Sequence, residues 1–183
     1  MQQFFWCIGI STVWCAIITV LYIPVFFILR SKGKDIIRQI SYLALICSLF
    51  IIIFATLIYQ IVLKPEMQTL NLTPFLWYMQ SLKAGHMNRI FSEIVPNIIL
   101  FIPLGIFLPI VIKNARKIYI LMIMITFISF LMEFMQYFMG RSSDIDDLIM
   151  NISGGITGYV IFKLLNNIFK SRVWWSKLLQ NEY

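Results

Sequence analysis

Charge is scarce in this chain. Only 13% of its 183 residues are Asp, Glu, Lys or Arg, 60% are hydrophobic, and the mean hydropathy is +0.85. Soluble domains carry about 25% charged and about 45–50% apolar residues, so the composition excludes an ordinary soluble protein and indicates an integral membrane one. Histidine is nearly absent: His86 is the single one. With no second His, and no Ser-His or Cys-His pair, nucleophilic catalysis of the familiar kinds and His-based zinc sites find no support. Cysteine is limited to Cys7, Cys15 and Cys47, all inside apolar runs and without metal-like spacing. They read as small hydrophobes rather than disulfide or zinc partners. Long polar stretches are lacking too. The longest, Lys64 to Glu93, is dotted with Phe75, Trp77 and Tyr78, which leaves no room for a second domain. One membrane domain over residues 1–183 is expected.

Basic residues exceed acidic ones, 15 against 8, for a net charge of +7. They cluster in turns between apolar runs, where they set orientation and meet anionic headgroups, so nucleic acid is not an expected partner and the lipid bilayer is.

The apolar runs predict an all-α membrane protein, a bundle of about five transmembrane helices with an interfacial extracellular loop. Phe4 to Leu29 is about 39 Å long as a helix, enough to cross a hydrocarbon core of roughly 30 Å with tilt. No Lys or Arg precedes it, and it is too long for a signal-peptide core. Pro24 is expected to kink its last turns. Tyr42 to Leu63 follows, after the basic turn of Arg30, Lys32, Lys34 and Arg38.

Lys64 to Glu93 suits a loop or short helix at the interface. Within it, His86 beside Lys83 and Arg89 reads as a headgroup-level polar residue rather than a ligand. A third span from Ile94 to Ile112 is expected to open at Pro96, with Asn97, Phe101 and Gly105 on one face and Pro103 loosening the helix. The fourth, Ile118 to Met139, places Glu133, Gln136 and Gly140 on a face that cannot meet lipid. The fifth runs from Leu148 to Phe169 and ends in Lys170, Arg172, Trp174, Trp175 and Lys177, an interface anchor. Basic turns of Lys113, Arg116 and Lys117 and of this tail place the N-terminus outside and the C-terminus in the cytoplasm at the cell membrane.

The stretch from Glu133 to Gly158 joins two of these runs and holds four of the eight acidic residues, plus Arg141. An ionisable side chain at that depth is costly unless paired, hydrated or used. Part of it reads as a helix start: Ser143 or Asp144 is the expected N-cap, and Asp146 and Asp147 are favoured by the positive helix end. Asp147, Asn151, Gly154 and Gly158 then form one inward stripe, whose glycines allow a neighbouring helix to approach closely. Arg141 is the natural counter-charge to Glu133, Asp144 or Asp147.

Glu133-x-x-Gln136, Arg141-x-x-Asp144-x-x-Asp147-x-x-x-Asn151 and the glycines to Gly158 resemble the signature of the VanZ-like family of small bacterial membrane proteins. Asn71-Leu-x-Pro-Phe75 and Asn97-x-x-x-Phe101-x-Pro-x-Gly105 are similar to the same family, so the resemblance covers about residues 71–160. It implies association with low-level resistance to the glycopeptide teicoplanin in the bacterial envelope, through a step the motif does not fix.

Three readings follow. In the first, an outward-facing polar cluster recognises or modifies a lipid-linked glycan, a headgroup or a lipoglycopeptide. Its catalytic version uses Glu133 as general acid or base, with Asp144 and Asp147 holding water or a divalent cation such as Mg²⁺ or Ca²⁺; Asn97, Gln136, Arg141 and Asn151 bind substrate. The second is a small transporter or flippase, against which the lack of an inverted repeat weighs. In the third, the same groups form a purely stabilising network.

Overall fold

The computed structural model describes residues 2–31, 33, 35–58, 70–140 and 143–179. Its helices are α1 (Gln2–Ser31), α2 (Ile36–Ile53), α3 (Leu76–Lys83), α4 (Met87–Val111), α5 (Ile118–Phe138), α6 (Ile145–Phe169) and α7 (Val173–Leu179). Five of them contain apolar stretches long enough to cross a bilayer: Gly9–Ser31, Ile36–Leu57, Glu93–Val111, Ile118–Phe138 and Ile145–Phe169. The protein is an all-α membrane protein.

Helices dominate because the bilayer interior offers no water to backbone N–H and C=O groups, so each span must satisfy its own. α2 departs from regular geometry at its end, where Phe54–Ile58 winds as a π turn; the chain beyond it to residue 69, including Lys64, Pro65 and the expected end of the second span, lies outside the described residues. Two expectations are corrected. The third span does not open at Pro96: α4 starts at Met87 and carries Pro96, Pro103 and Pro109 in its interior. Membrane helices continue through proline where neighbouring groups take up the freed carbonyls. Gly140 is not part of the inward face of α5; with φ +86° it is the left-handed residue that ends the helix.

Lipid tails are as apolar as leucine, so close approach rather than hydrophobicity holds such helices together. The most extensive contact is between α4 and α6. A Cβ on Gly154 would strike the Ile98 carbonyl, one on Gly158 the Ile102 carbonyl, and one on Gly105 the backbone of Gly155. Partners on both helices rise together in number, so α4 and α6 run parallel with their backbones in contact. Gly155 faces the Ile125 side chain of α5 in the same way. Phe101, Leu104, Leu121, Ile125 and Phe162 fill the centre and are fully or almost fully buried.

The parallel direction is set at the chain entry. Leu70–Asn71 (β1) pairs in parallel with Ser143–Asp144 (β2), Leu70 opposite Ser143 and Asn71 opposite Asp144. At the other end, a 3₁₀ turn at Lys113–Arg116 leads into α5, and α7 tucks back against α2. Arg116 donates from Nε to the Pro109 carbonyl at 3.1 Å and from Nη2 to the Leu179 carbonyl at 2.5 Å. Its own carbonyl accepts from the Tyr159 hydroxyl at 2.6 Å. Burial, then Arg38, lowers the affinity of Arg116 for its proton. The expected aromatic anchor splits here. Trp174 is exposed, but Trp175 is buried and donates to Asn166 Oδ1 at 2.8 Å, so it belongs to the core.

Candidate functional site

Four acidic residues lie around the turn where α5 ends and α6 begins. Glu133 and Gln136, one turn apart on α5, are 7% and 5% exposed. Glu133 Oε2 accepts from Ser143 Oγ at 3.0 Å and from the Asp144 N–H at 3.3 Å. Asp144 caps α6: its Oδ1 accepts from the Asp146 N–H at 2.9 Å, which satisfies one of the donors a helix start leaves open. Its Oδ2 accepts from Asn71 Nδ2 at 3.0 Å. Asp147 Oδ1 accepts from Asn97 Nδ2 of α4 at 2.6 Å.

The inward stripe of α6 therefore divides its attention. Asp147, Gly154 and Gly158 face α4, whereas Asn151 reaches α5 and donates to Ser129 Oγ at 2.8 Å, both residues buried. Gln136 also leaves the turn: its Nε2 donates to the Thr56 carbonyl in the π turn at 3.0 Å. Arg141 and Ser142 lie outside the described residues.

Sequence reasoning underrated Asp146. As a first-turn acid it looked like a helix-dipole residue, yet it is 2% exposed, more buried than Asp144 or Asp147. Its Oδ1 accepts the Phe75 N–H at 2.8 Å. Phe75 has φ +61°, a conformation uncommon for an aromatic residue, and the bond to Asp146 helps hold it. The segment 70–75 is thus strapped over the start of α6 at three points: the β1–β2 bridge, Asn71 to Asp144, and Phe75 to Asp146. Asn71 Oδ1 in turn accepts the Thr73 N–H at 3.2 Å and shapes the strap. The signal for this strap in the sequence was the motif Asn71-Leu-Thr-Pro-Phe75 alone.

α3 covers the same region. Tyr78 is buried, and burial together with Asp147, Asp146, Asp144 and Glu93 pushes its phenol well above its ordinary range. It remains a neutral O–H group among acids. His86 is exposed at the start of α4, as a headgroup-level residue would be.

Two acceptors have no hydrogen-bond partner although buried: Asp146 Oδ2 and Gln136 Oε1. Among the described residues no three His, Cys, Asp or Glu side chains are grouped to hold a metal ion.

The family model VanZ/LLP1 matches residues 40–166, which takes in α4, α5, α6 and the strap. Protein VanZ of Enterococcus faecium is 30% identical over 141 residues, covering 73% of this chain and 78% of that protein. No solved structure matches. The polar residues that meet at the α5–α6 turn all fall inside the matched region, and the chain belongs to the VanZ/LLP1 family.

Proposed function

We propose that the chain is a bacterial envelope protein that lowers susceptibility to teicoplanin, and that its α5–α6 turn engages a headgroup, glycan or lipoglycopeptide from the outer side. The observation that carries this reading is the convergence of Glu133, Asp144, Asp146 and Asp147 at the bundle end opposite the basic turns. Arg30, Arg38, Lys113, Lys117, Lys170, Arg172 and Lys177 flank the other end, and such residues stay in the cytoplasm. The N-terminus is then outside and the C-terminus inside. The kinship with Protein VanZ supports the resistance context.

The hydrogen bonds sharpen the roles. Glu133, Asp144 and Asp147 each fasten one element to another, which favours positioning over proton transfer and gives weight to a second reading, a stabilising network. Asp146 and Gln136 keep acceptors to spare and are the better ligand-binding candidates. Asn97, Asn151 and Arg141 are assigned to support of this site.

The test is teicoplanin susceptibility of cells carrying Asp146→Asn, with membrane protein level measured in parallel. Normal protein with lost resistance supports a working site. Loss of protein supports the network, and unchanged resistance at normal level removes the role of Asp146.

A further inference from the structure

Among the described residues, the α5–α6 turn is rich in acceptors and poor in cationic donors: Asp144 accepts there from Asp146 N–H and Asn71 Nδ2, Asp146 from Phe75 N–H, and neither carboxylate has a cationic partner. The two are close enough to act on each other electrostatically. Asp146 Oδ2 and Gln136 Oε1 are buried without a donor, in side chains 98% and 95% removed from solvent. Asp146 lies at the turn itself, where Asp144 holds its backbone, whereas Gln136 reaches from α5 to the Thr56 carbonyl. An unfilled buried acceptor costs about 1–3 kcal/mol, more for a charged group.

What fits is a group with several donors and a positive charge. A hydroxyl offers one donor and no charge, whereas a primary ammonium offers three N–H donors and forms charge-assisted bonds to carboxylates. A quaternary ammonium has the charge and no donor. Among the described residues, the side-chain fastenings of residues 70–75 to the start of α6 end on the carboxylates of Asp144 and Asp146. A group that competes for those oxygens loosens the cover that hides them.

Building on the proposed site, we infer that it is selective for a primary ammonium group, of a lipid headgroup or a soluble amine, with Asp146 as its acceptor and the 70–75 segment as its cover.

The test uses the full chain and needs no knowledge of the natural ligand. Purified protein is exposed to an equimolar mixture of phosphatidylethanolamine and phosphatidylcholine with identical acyl chains, and the retained lipids are counted by native mass spectrometry. The two lipids share the phosphate and differ in N–H donors. Wild-type protein is expected to retain the ethanolamine lipid about tenfold over the choline lipid, the ratio given by one or two charge-assisted hydrogen bonds. Asp146→Asn is expected to bring the ratio near one. Free ethanolamine added to the mixture separates the sources: competition by it assigns a soluble amine, and its failure to compete assigns the lipid headgroup. Equal retention of both lipids by the wild type overturns the inference, as it shows that water fills the spare acceptors. An unchanged ratio in Asp146→Asn overturns it too. Should that variant not fold, the wild-type ratio decides alone. Resistance lost in Asp146→Asn without a lipid preference would leave the proposed function standing, and the converse would leave the ammonium site standing.

Discussion

Asn97 and Asp147, fifty positions apart, are joined side chain to side chain at 2.6 Å across the most extensive helix contact among the described residues. The bond lies at the acidic-turn end of the α4–α6 seam, just before the glycines that let the backbones touch. A double-mutant cycle with Asn97→Leu and Asp147→Leu should return a coupling of about 1–2 kcal/mol, read from unfolding in detergent. Interhelical polar bonds in membrane proteins average about 0.6 and reach about 1.7 kcal/mol, and a charged acceptor belongs at the upper end. A coupling near zero would show that the two helices hold their distance without it.

Gly158→Ala should lower stability by about 3 kcal/mol, the upper end for an overpacked site, because its methyl group would meet the Ile102 carbonyl and the Gly105 backbone, which cannot rotate away. Gly9→Ala is the control. Nothing lies within 4 Å of a Cβ there, and the helical residue gains propensity. Thermal melts of the two variants side by side check the difference.

Glu133→Gln separates fastening from proton transfer. The glutamine carbonyl still accepts from Ser143 Oγ and the Asp144 N–H, so protein level and teicoplanin susceptibility should both stay within about twofold of wild type. Glu133→Ala leaves both donors open and should reduce the amount of folded protein. Full loss of resistance in Glu133→Gln at normal protein level would restore the acid–base role.

Tyr78 makes stability fall in alkali. Below pH 10 the phenol is protonated in folded and unfolded protein alike, and nothing changes with pH. Above it the unfolded chain releases the proton while the buried phenol, surrounded by Asp147, Asp146 and Asp144, retains it, so rising pH favours unfolding. Tyr78→Phe removes this component. Between pH 9 and 11 the melting temperature of the variant should drop less than that of the wild type, and parallel drops would refute the placement of Tyr78 among the acids.

Much of the bundle is legible in the sequence because hydropathy is a strong signal: the five spans appear where the apolar runs are, and the one-sided spacing of Asp147, Gly154 and Gly158 finds its partner helix. What escapes is set by long-range geometry. Pro96 has the chemistry of a first-turn residue, and only the packing around α4 reveals that the helix began nine positions earlier. Ser129 and Thr56, partners of Asn151 and Gln136, look like ordinary small residues of apolar runs. Asp146 has a satisfactory local explanation at a helix start, and its burial comes from a strap 71 residues upstream. Local rules account for a residue's first role, so a second role imposed by tertiary contact stays hidden.

The end of the bundle away from the acidic turn is closed by α7. Arg116 is held by the Leu179 carbonyl, and Trp175 fills the gap beside Phe162 and Phe169. During synthesis the first four spans can enter the bilayer long before residue 179 leaves the ribosome, yet Arg116 must wait for it. Latching therefore follows insertion of the spans, and a chain lacking α7 would carry an open, recognisable end for membrane proteases.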